Sequence, residues 1–258
     1  MIFYCLKTRK SARKAHKMLE YGFYNMDCME GMKEIPDKYF DLAIVDPPYG
    51  IGADNFKNAT GWTDREGYTK TESAAVRAKN RLNQGSGKLK GRILNQSDCS
   101  WDVKPDKAYF DELFRVSKNQ IIWGGNYFDL PPTRGIIAWD KMVNWDNFSA
   151  FEMAWTSFNK PAAMYRQKNS GSYTAGKIHP TQKPIELYKW LLSKYAKKGD
   201  KILDTHVGSA SSLIACHELG FEYIGFEINE VYYKAAKERL EETTNQINIF
   251  DVMKGAET

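Results

Sequence analysis

The chain has 258 residues, 42% hydrophobic and 14% aromatic, with a net charge of +5, enough to bury one sizeable α/β core. No apolar run approaches the length of a bilayer and no secretory signal is read, which sets membrane-spanning and exported classes aside. Cys5, Cys28, Cys99 and Cys216 show no paired spacing, and His16, His179, His206 and His217 form no ligand set. Neither a disulfide framework nor a metal site is therefore expected, and the scattered cysteines suit a reducing cytoplasm.

The charge is unevenly spread. Residues 1–17 hold six Lys/Arg and no acids, and residues 54–92 hold nine against four acids, leaving the remaining body at −6. Two basic stretches of this kind suit arms that grip phosphates, although solvated segments have the same composition.

In chain order, residues 1–20 read as a basic arm and residues 21–245 as one catalytic domain. Asp27 is placed to cap a helix over Met29–Ile35. The apolar run Leu42-Ala43-Ile44-Val45 then reads as a buried strand that delivers Asp46-Pro47-Pro48-Tyr49-Gly50 to one point. The prolines set their own φ and lack N–H donors, and Pro48 holds Pro47 extended. An acid, a carbonyl with no competing N–H and an aromatic face suit a planar base carrying an exocyclic amine. Such a nitrogen is a poor nucleophile because its lone pair is delocalised into the ring. Asp46 and the Pro47 carbonyl can each accept one amine hydrogen, favouring a pyramidal nitrogen, while Tyr49 stacks on the base for about 1–3 kcal/mol. A strand ending in an ordinary Pro-Pro turn is the plainer alternative.

A polar stretch to about Ser100 follows, containing Gly61, Gly67 and Gly85-Ser86-Gly87. Its basic part, 54–97, is expected to be a mobile lid or DNA clamp carrying Lys88, Lys90 and Arg92. Tyr109, Leu113 and Val116 mark the face of a helix. Gln120–Trp123, Gly135–Trp139 and Phe151–Phe158 read as strands, the last as an antiparallel edge strand with Phe151, Met153, Trp155 and Ser157 on one face. Trp123, Trp139 and Trp155 read as core rather than base-stacking platforms.

Lys201-Ile202-Leu203-Asp204 is a short strand running into the turn Thr205-His206-Val207-Gly208-Ser209-Ala210. A helix with Leu213, Cys216 and Leu219 on one face ends at Gly220, and Glu222–Phe226 is the next strand. Glu227, 23 residues after Asp204, closes a nucleotide-binding βαβ unit with an acid placed for ribose hydroxyls. The glycine-poor turn argues against a pyrophosphate and for a cofactor without phosphates.

Together these elements resemble the β-class amino-group DNA methyltransferases, which use S-adenosylmethionine, over roughly residues 22–240. Asp46-Pro47-Pro48-Tyr49 matches the catalytic motif, and His179-Pro180-Thr181-Gln182-Lys183-Pro184 the motif preceding the cofactor loop in this permuted order. The loop itself departs from the family pattern at Thr205, His206 and Ala210, where Pro, Phe and Gly are usual. His206 is expected to pack edge-on against the methionine portion of the cofactor.

The resemblance implies a Rossmann-like α/β fold with a mostly parallel twisted sheet, one antiparallel edge strand and circularly permuted motifs. It implies Asp46, Pro47, Pro48 and Tyr49 as catalytic residues. Cofactor binding is implied for Asp27, Cys28, Asp46, His179, Thr181, Lys183, Asp204, His206, Gly208, Ser209, Glu227 and Asn229, with Asp27 accepting from the adenine amine. Residues 159–178 fall where the family carries its target-recognition region, short here, in which Arg166, Gln167 and Lys168 join the 54–97 loop as DNA contacts. A second subunit could share that reading, so a homodimer is a candidate assembly.

The implied activity is methylation of adenine N6 in double-stranded DNA. Cytosine N4 on the same fold, an RNA or protein amide, and a catalytically silent DNA-binding relative are the alternatives. Residues 246–258 read as a tail after the final helix. Within it, Gln246-Ile247-Asn248-Ile249-Phe250 resembles the peptide by which many bacterial replication proteins dock on the DNA sliding clamp; a strand at the sheet edge or a helix cap is the plainer reading.

Overall fold

Eight strands form one sheet in a computed structural model that describes residues 19–51, 102–143, 149–168, 178–179 and 181–255, the last ten as backbone only. The elements are β1 (Gly22–Tyr24), α1 (Cys28–Lys33), β2 (Phe40–Val45), α2 (Lys107–Val116), β3 (Ser117–Trp123), β4 (Ile136–Asp140), β5 (Phe151–Thr156), β6 (Ala163–Arg166), α3 (Ile185–Tyr195), β7 (Lys201–Asp204), α4 (Ser211–Leu219), β8 (Glu222–Phe226) and α5 (Glu230–Gly255). The strand order is β1-β8-β7-β2-β3-β5-β4-β6. Every pairing from β1 to β3 is parallel, β5 is antiparallel to both β3 and β4, and β6 is parallel to β4.

The central strands are apolar on both faces because helices cover both. Leu42, Ile44, Ile121 and Ile202 pack with Leu187, Leu191 and Leu192 of α3 and Cys216 of α4. On the other face Ala43, Val45, Ile122 and Leu203 pack with Met32 of α1 and with Tyr109, Leu113 and Val116 of α2. A third cluster joins Leu213 and Ile214 of α4 to Ala235, Ala236 and Leu240 of α5. The result is the mostly parallel α/β/α sandwich anticipated from the sequence.

Permutation leaves the N-terminal strand to complete the sheet from a distance. β1 pairs with β8 in the register Gly22↔Ile224, Phe23↔Gly225, Tyr24↔Phe226, and Glu227 N donates to Tyr24 O at 3.0 Å. Beside it, Asp27 accepts from Met29 N at 2.8 Å and so caps α1.

Three expectations are corrected. The Phe151–Phe158 strand is not the edge: β5 is hydrogen-bonded on both sides, and the short β6 takes the margin. Both faces of β5 are packed: Ala154 and Thr156 are fully buried on one, and Trp155 lies against Phe114 of α2 on the other, while Phe151 is 54% exposed. In α4, Leu219 lies near the C-terminus and is exposed, whereas Ser211 to Cys216 are all buried. The final helix continues through Gly255, so the backbone of Gln246–Phe250 is helical instead of following the helix. No Gly or Pro interrupts 231–254, and the Thr243 and Thr244 hydroxyls find their acceptors within the helix, Arg239 O and Glu241 O at 3.0 Å each. The expected 1–20 arm, apart from Leu19 and Glu20, and the 54–97 loop lie outside the described residues.

Candidate active site

β2 and β7 are neighbours at the centre of the sheet, with Leu42 opposite Ile202 and Ala43 opposite Leu203. From β2 the chain crosses to β3 through α2; from β7 it crosses to β8 through α4, in the opposite direction. Their carboxyl ends therefore flank the topological switch point, where open α/β sheets form a ligand crevice. A cleft of about 340 Å³ lies there. Its lining brings together residues separated by up to 186 positions, from Asp46 to Tyr232. Asp46, Pro47, Pro48 and Tyr49 form one wall, His179, Thr181 and Lys183 a second, and His206, Gly208, Ser209, Glu227 and Asn229 a third.

On the catalytic wall both Asp46 oxygens are engaged. Tyr49 Oη donates to Oδ1 at 2.6 Å, and Lys183 Nζ donates to Oδ2. The Tyr49 ring lies stacked on Tyr127 at 5.0 Å and edge-on to Phe128. It sits over Gly124, where a Cβ would come within 2.2 Å of the ring; with φ at 66° that position favours glycine on both counts. Burial pushes the Tyr49 hydroxyl well above its ordinary pKa, so it remains a donor.

The cofactor wall is built by backbone amides on two acids. Glu227 accepts from Gly208 N through Oε2 and from Asn229 N through Oε1, both at 2.9 Å. Asn25 Nδ2 donates to Glu227 O at 2.8 Å, tying β1 to the same loop. Burial raises the Glu227 carboxyl above the usual range, while the backbone donors pull the other way. Asp204 lies beneath the loop and outside the lining residues, accepting from His206 N at 3.0 Å and from the Ser212 hydroxyl. Burial drives its pKa up to about 7. It shapes the loop and does not face the cleft.

His206 does line the cleft. Its ring is edge-on to Tyr109 at 5.4 Å, Nδ1 lies 2.9 Å from Thr205 Oγ1, and burial pushes its pKa down to about 4, so it is a neutral ring near pH 7. His179 packs on Tyr232 at 4.4 Å. Asp27 and Cys28 are not among the lining residues, though the Asp27 charge is felt at His206. Arg166 pairs with Asp140 at 3.3 Å on the edge strand, Gln167 Oε1 accepts from Tyr165 Oη at 2.8 Å, and Lys168 is exposed. These three are away from the cleft lining, and Lys88, Lys90 and Arg92 lie outside the described residues.

Sequence reasoning missed Glu152, Lys141, Asp102 and Tyr188. Asp102 accepts from Gly50 N at 2.8 Å and Ile51 N at 3.1 Å, and it lines the cleft. Glu152 had no motif to mark it; its partners come from the residue just beyond β4 and from the turn before α3.

The donor set decides which cofactor fits. Among the described residues Lys183 is the only Lys or Arg lining the cleft, and it is committed to two carboxylates, so a pyrophosphate would find no free cation among them. A ribose diol finds the Glu227 carboxylate, and a sulfonium finds acidic walls. The residues fit a nucleoside cofactor without phosphates.

An open α/β sheet with this cleft at its switch point is the architecture of a Rossmann-like methyltransferase. Residues 138–238 match the family model described as DNA methylase. The type II methyltransferase M2.MboI of Moraxella bovis is 24% identical over 254 residues, covering 87% of this chain and 89% of its own length. The DNA adenine methyltransferase YhdJ of Escherichia coli (strain K12) is 23% identical over 250 residues, covering 83% and 81%. Among solved structures, the cytosine-N4-specific PvuII DNA methyltransferase superposes with a TM-score of 0.52 at 13% identity, over 90% of this chain and 94% of that one, a likeness of fold. The chain is an S-adenosylmethionine-dependent DNA amino-methyltransferase. Among the described residues no helix is long and apolar enough to cross a membrane.

Proposed function

We propose that the chain methylates the N6 amino group of adenine in double-stranded DNA, with the β-class motif order. The observation that carries this reading is the Asp46 carboxylate, held at the end of β2 with Oδ1 hydrogen-bonded to Tyr49 in the cleft wall. A target base inside a duplex cannot reach this cleft, so it is flipped out at a cost of a few kcal/mol, offset by stacking and edge hydrogen bonds. Asp46 Oδ1 and the Pro47 carbonyl accept the amine hydrogens once the Tyr49 hydroxyl swings away, freeing its ring to stack on the base. S-Adenosylmethionine supplies an electrophilic methyl group when bound. Glu227 holds its ribose, and the His206–Ser209 loop with His179 and Thr181 surrounds its remainder. After alkylation the amine is strongly acidic and releases its proton to Asp46 or water, so no base with a shifted pKa is needed beforehand. The rest is alignment.

Adenine is favoured over cytosine because an acid opens the motif, as in the adenine enzymes the chain resembles, and because a relative carries that activity in its name. Mass spectrometry of nucleosides from DNA of an expressing host tests the reading. N6-methyladenine supports it, N4-methylcytosine moves the target, and no modification favours a silent DNA-binding relative.

The same reading places DNA along Lys88, Lys90 and Arg92 on one side and Arg166, Gln167 and Lys168 on the other, in a cytoplasmic enzyme that acts alone or as a homodimer. Clamp docking by Gln246–Phe250 now requires that this stretch leave its helical backbone, as terminal helix turns can. Pull-down on a bacterial clamp, comparing the wild type with Ile249→Ala/Phe250→Ala, decides it: no capture of the wild type removes that partner.

A further inference from the structure

Lys183 sits in the turn before α3, is 3% exposed, and is held by acids from two other elements. Its ammonium donates to Asp46 Oδ2 at the end of β2 and lies 3.1 Å from Glu152 Oε2 on β5. Glu152 Oε1 in turn lies 2.6 Å from Lys141 Nζ, just beyond β4. The Trp123 ring centroid is 5.1 Å from the Lys183 ammonium. An ammonium has three protons; two are assigned to carboxylates, and the face of an indole lies close by. That leaves little for a cofactor carboxylate.

Electrostatics point the same way. Burial alone would lower the Lys183 pKa, but Asp46 and Glu152 override it and hold the amine charged. Burial alone would raise Glu152, and Lys183 with Lys141 holds it below the usual carboxylate range. The alternating row Lys141, Glu152, Lys183, Asp46 is thus fully ionised at its inner links and sums to zero. Breaking such a row leaves an uncompensated buried charge, which is why its members constrain each other.

We propose that Lys183, braced by Glu152, is a positioning residue for the methyl-transfer step: it pins one oxygen of Asp46 so that the other is turned into the cleft for the amine. This rests on the reading of Asp46 as the amine acceptor. Glu152 has a second effect. Lys183 alone would withdraw charge from Asp46 and set a cation beside a nitrogen that becomes positive during transfer; Glu152 balances it. The antiparallel pair β4–β5, far in sequence from every motif, thereby contributes to the catalytic geometry through Trp139↔Glu152.

The experiment measures three quantities on full-length variants: single-turnover methyl transfer to DNA, and calorimetric Kd values for S-adenosylmethionine and for DNA. Lys183→Met is expected to slow transfer by about a hundredfold, the scale of a misplaced catalytic group, with the cofactor Kd changed by no more than about threefold. Glu152→Gln, which keeps shape but removes charge, is expected to slow transfer by about tenfold with both Kd values unchanged. Loss of cofactor binding in Lys183→Met in step with the rate returns Lys183 to the cofactor site and overturns the proposal, as does an unchanged rate. If Lys183→Met proves unfolded in a thermal melt, Glu152→Gln carries the decision alone: a slower rate at constant Kd supports the proposal, and an unchanged rate ends it. Asp46→Asn separates the two readings. If Asp46→Asn is active, the amine-acceptor role itself has failed; if it is inactive while Lys183→Met is active, only the positioning role has.

Discussion

The Glu227 carboxylate, at the end of β8, accepts the backbone N–H of Gly208 at 2.9 Å, so the residue placed to hold a ribose also sets the height of the loop beside it. On the proposed reading, one acid both shapes the cleft and meets the ribose.

Glu227→Ala removes a ribose acceptor and strands two backbone donors, Gly208 N and Asn229 N. A lost bond of this kind is worth about 1–3 kcal/mol, so the cofactor Kd is expected to rise roughly ten- to hundredfold. Asp46→Ala is expected to do the converse, abolishing transfer while binding cofactor nearly as the wild type does. Calorimetric titration of both variants checks the division of roles, and equal loss of binding in the two contradicts it.

Asp204 ties folding to pH. Burial raises its folded-state pKa to about 7 from an ordinary 3.8. The folded chain thus holds a proton that the unfolded chain releases, so this group's contribution is fully present below about pH 4 and is lost as pH rises through about 7. Asp204→Asn keeps an acceptor for His206 N and offers an amide N–H to the Ser212 oxygen, without titrating. Urea midpoints at several pH values between 5 and 8.5 are expected to show a smaller alkaline decline in the variant; an identical decline would show that Asp204 does not cause it.

Ala210 occupies the left-handed region, with φ at 60°, just before α4, and its methyl is fully buried. That conformation costs an alanine about 1–2 kcal/mol, but glycine gives up about 0.5–1 kcal/mol of chain entropy and the buried methyl about 0.8 kcal/mol. The terms nearly cancel. Ala210→Gly is expected to shift the melting temperature by no more than about 2 °C, which calorimetry can resolve. A loss of several degrees would mean that the methyl matters more than the strain.

DNA affinity is expected to depend on the basic stretch 54–92, which lies outside the described residues. Replacing Lys88, Lys90 and Arg92 with Gln should flatten the plot of log K against log salt by roughly one unit per lost phosphate contact. An unchanged slope would show that these side chains are only solvated.

Much of this was legible from local pattern. The apolar run 42–45 had to be a strand covered on both faces, Asp27 had the spacing of a helix cap, and Gly220 that of a helix stop; each follows from the chain's own period and a few neighbouring residues. Partnership across space was not legible. Nothing near Phe151 tells whether its strand lies at an edge or between two others, because alternation reports covered faces and not paired edges. Asp204 and Glu227 look alike in sequence, yet one lies under the loop and the other faces the cleft. Lys183 seemed one more cofactor residue of its motif, until the fold set it against an acid 137 positions away and a second on β5. A buried charge takes its role from whatever counterions the packing brings within about 3 Å, and only the tertiary structure decides which those are.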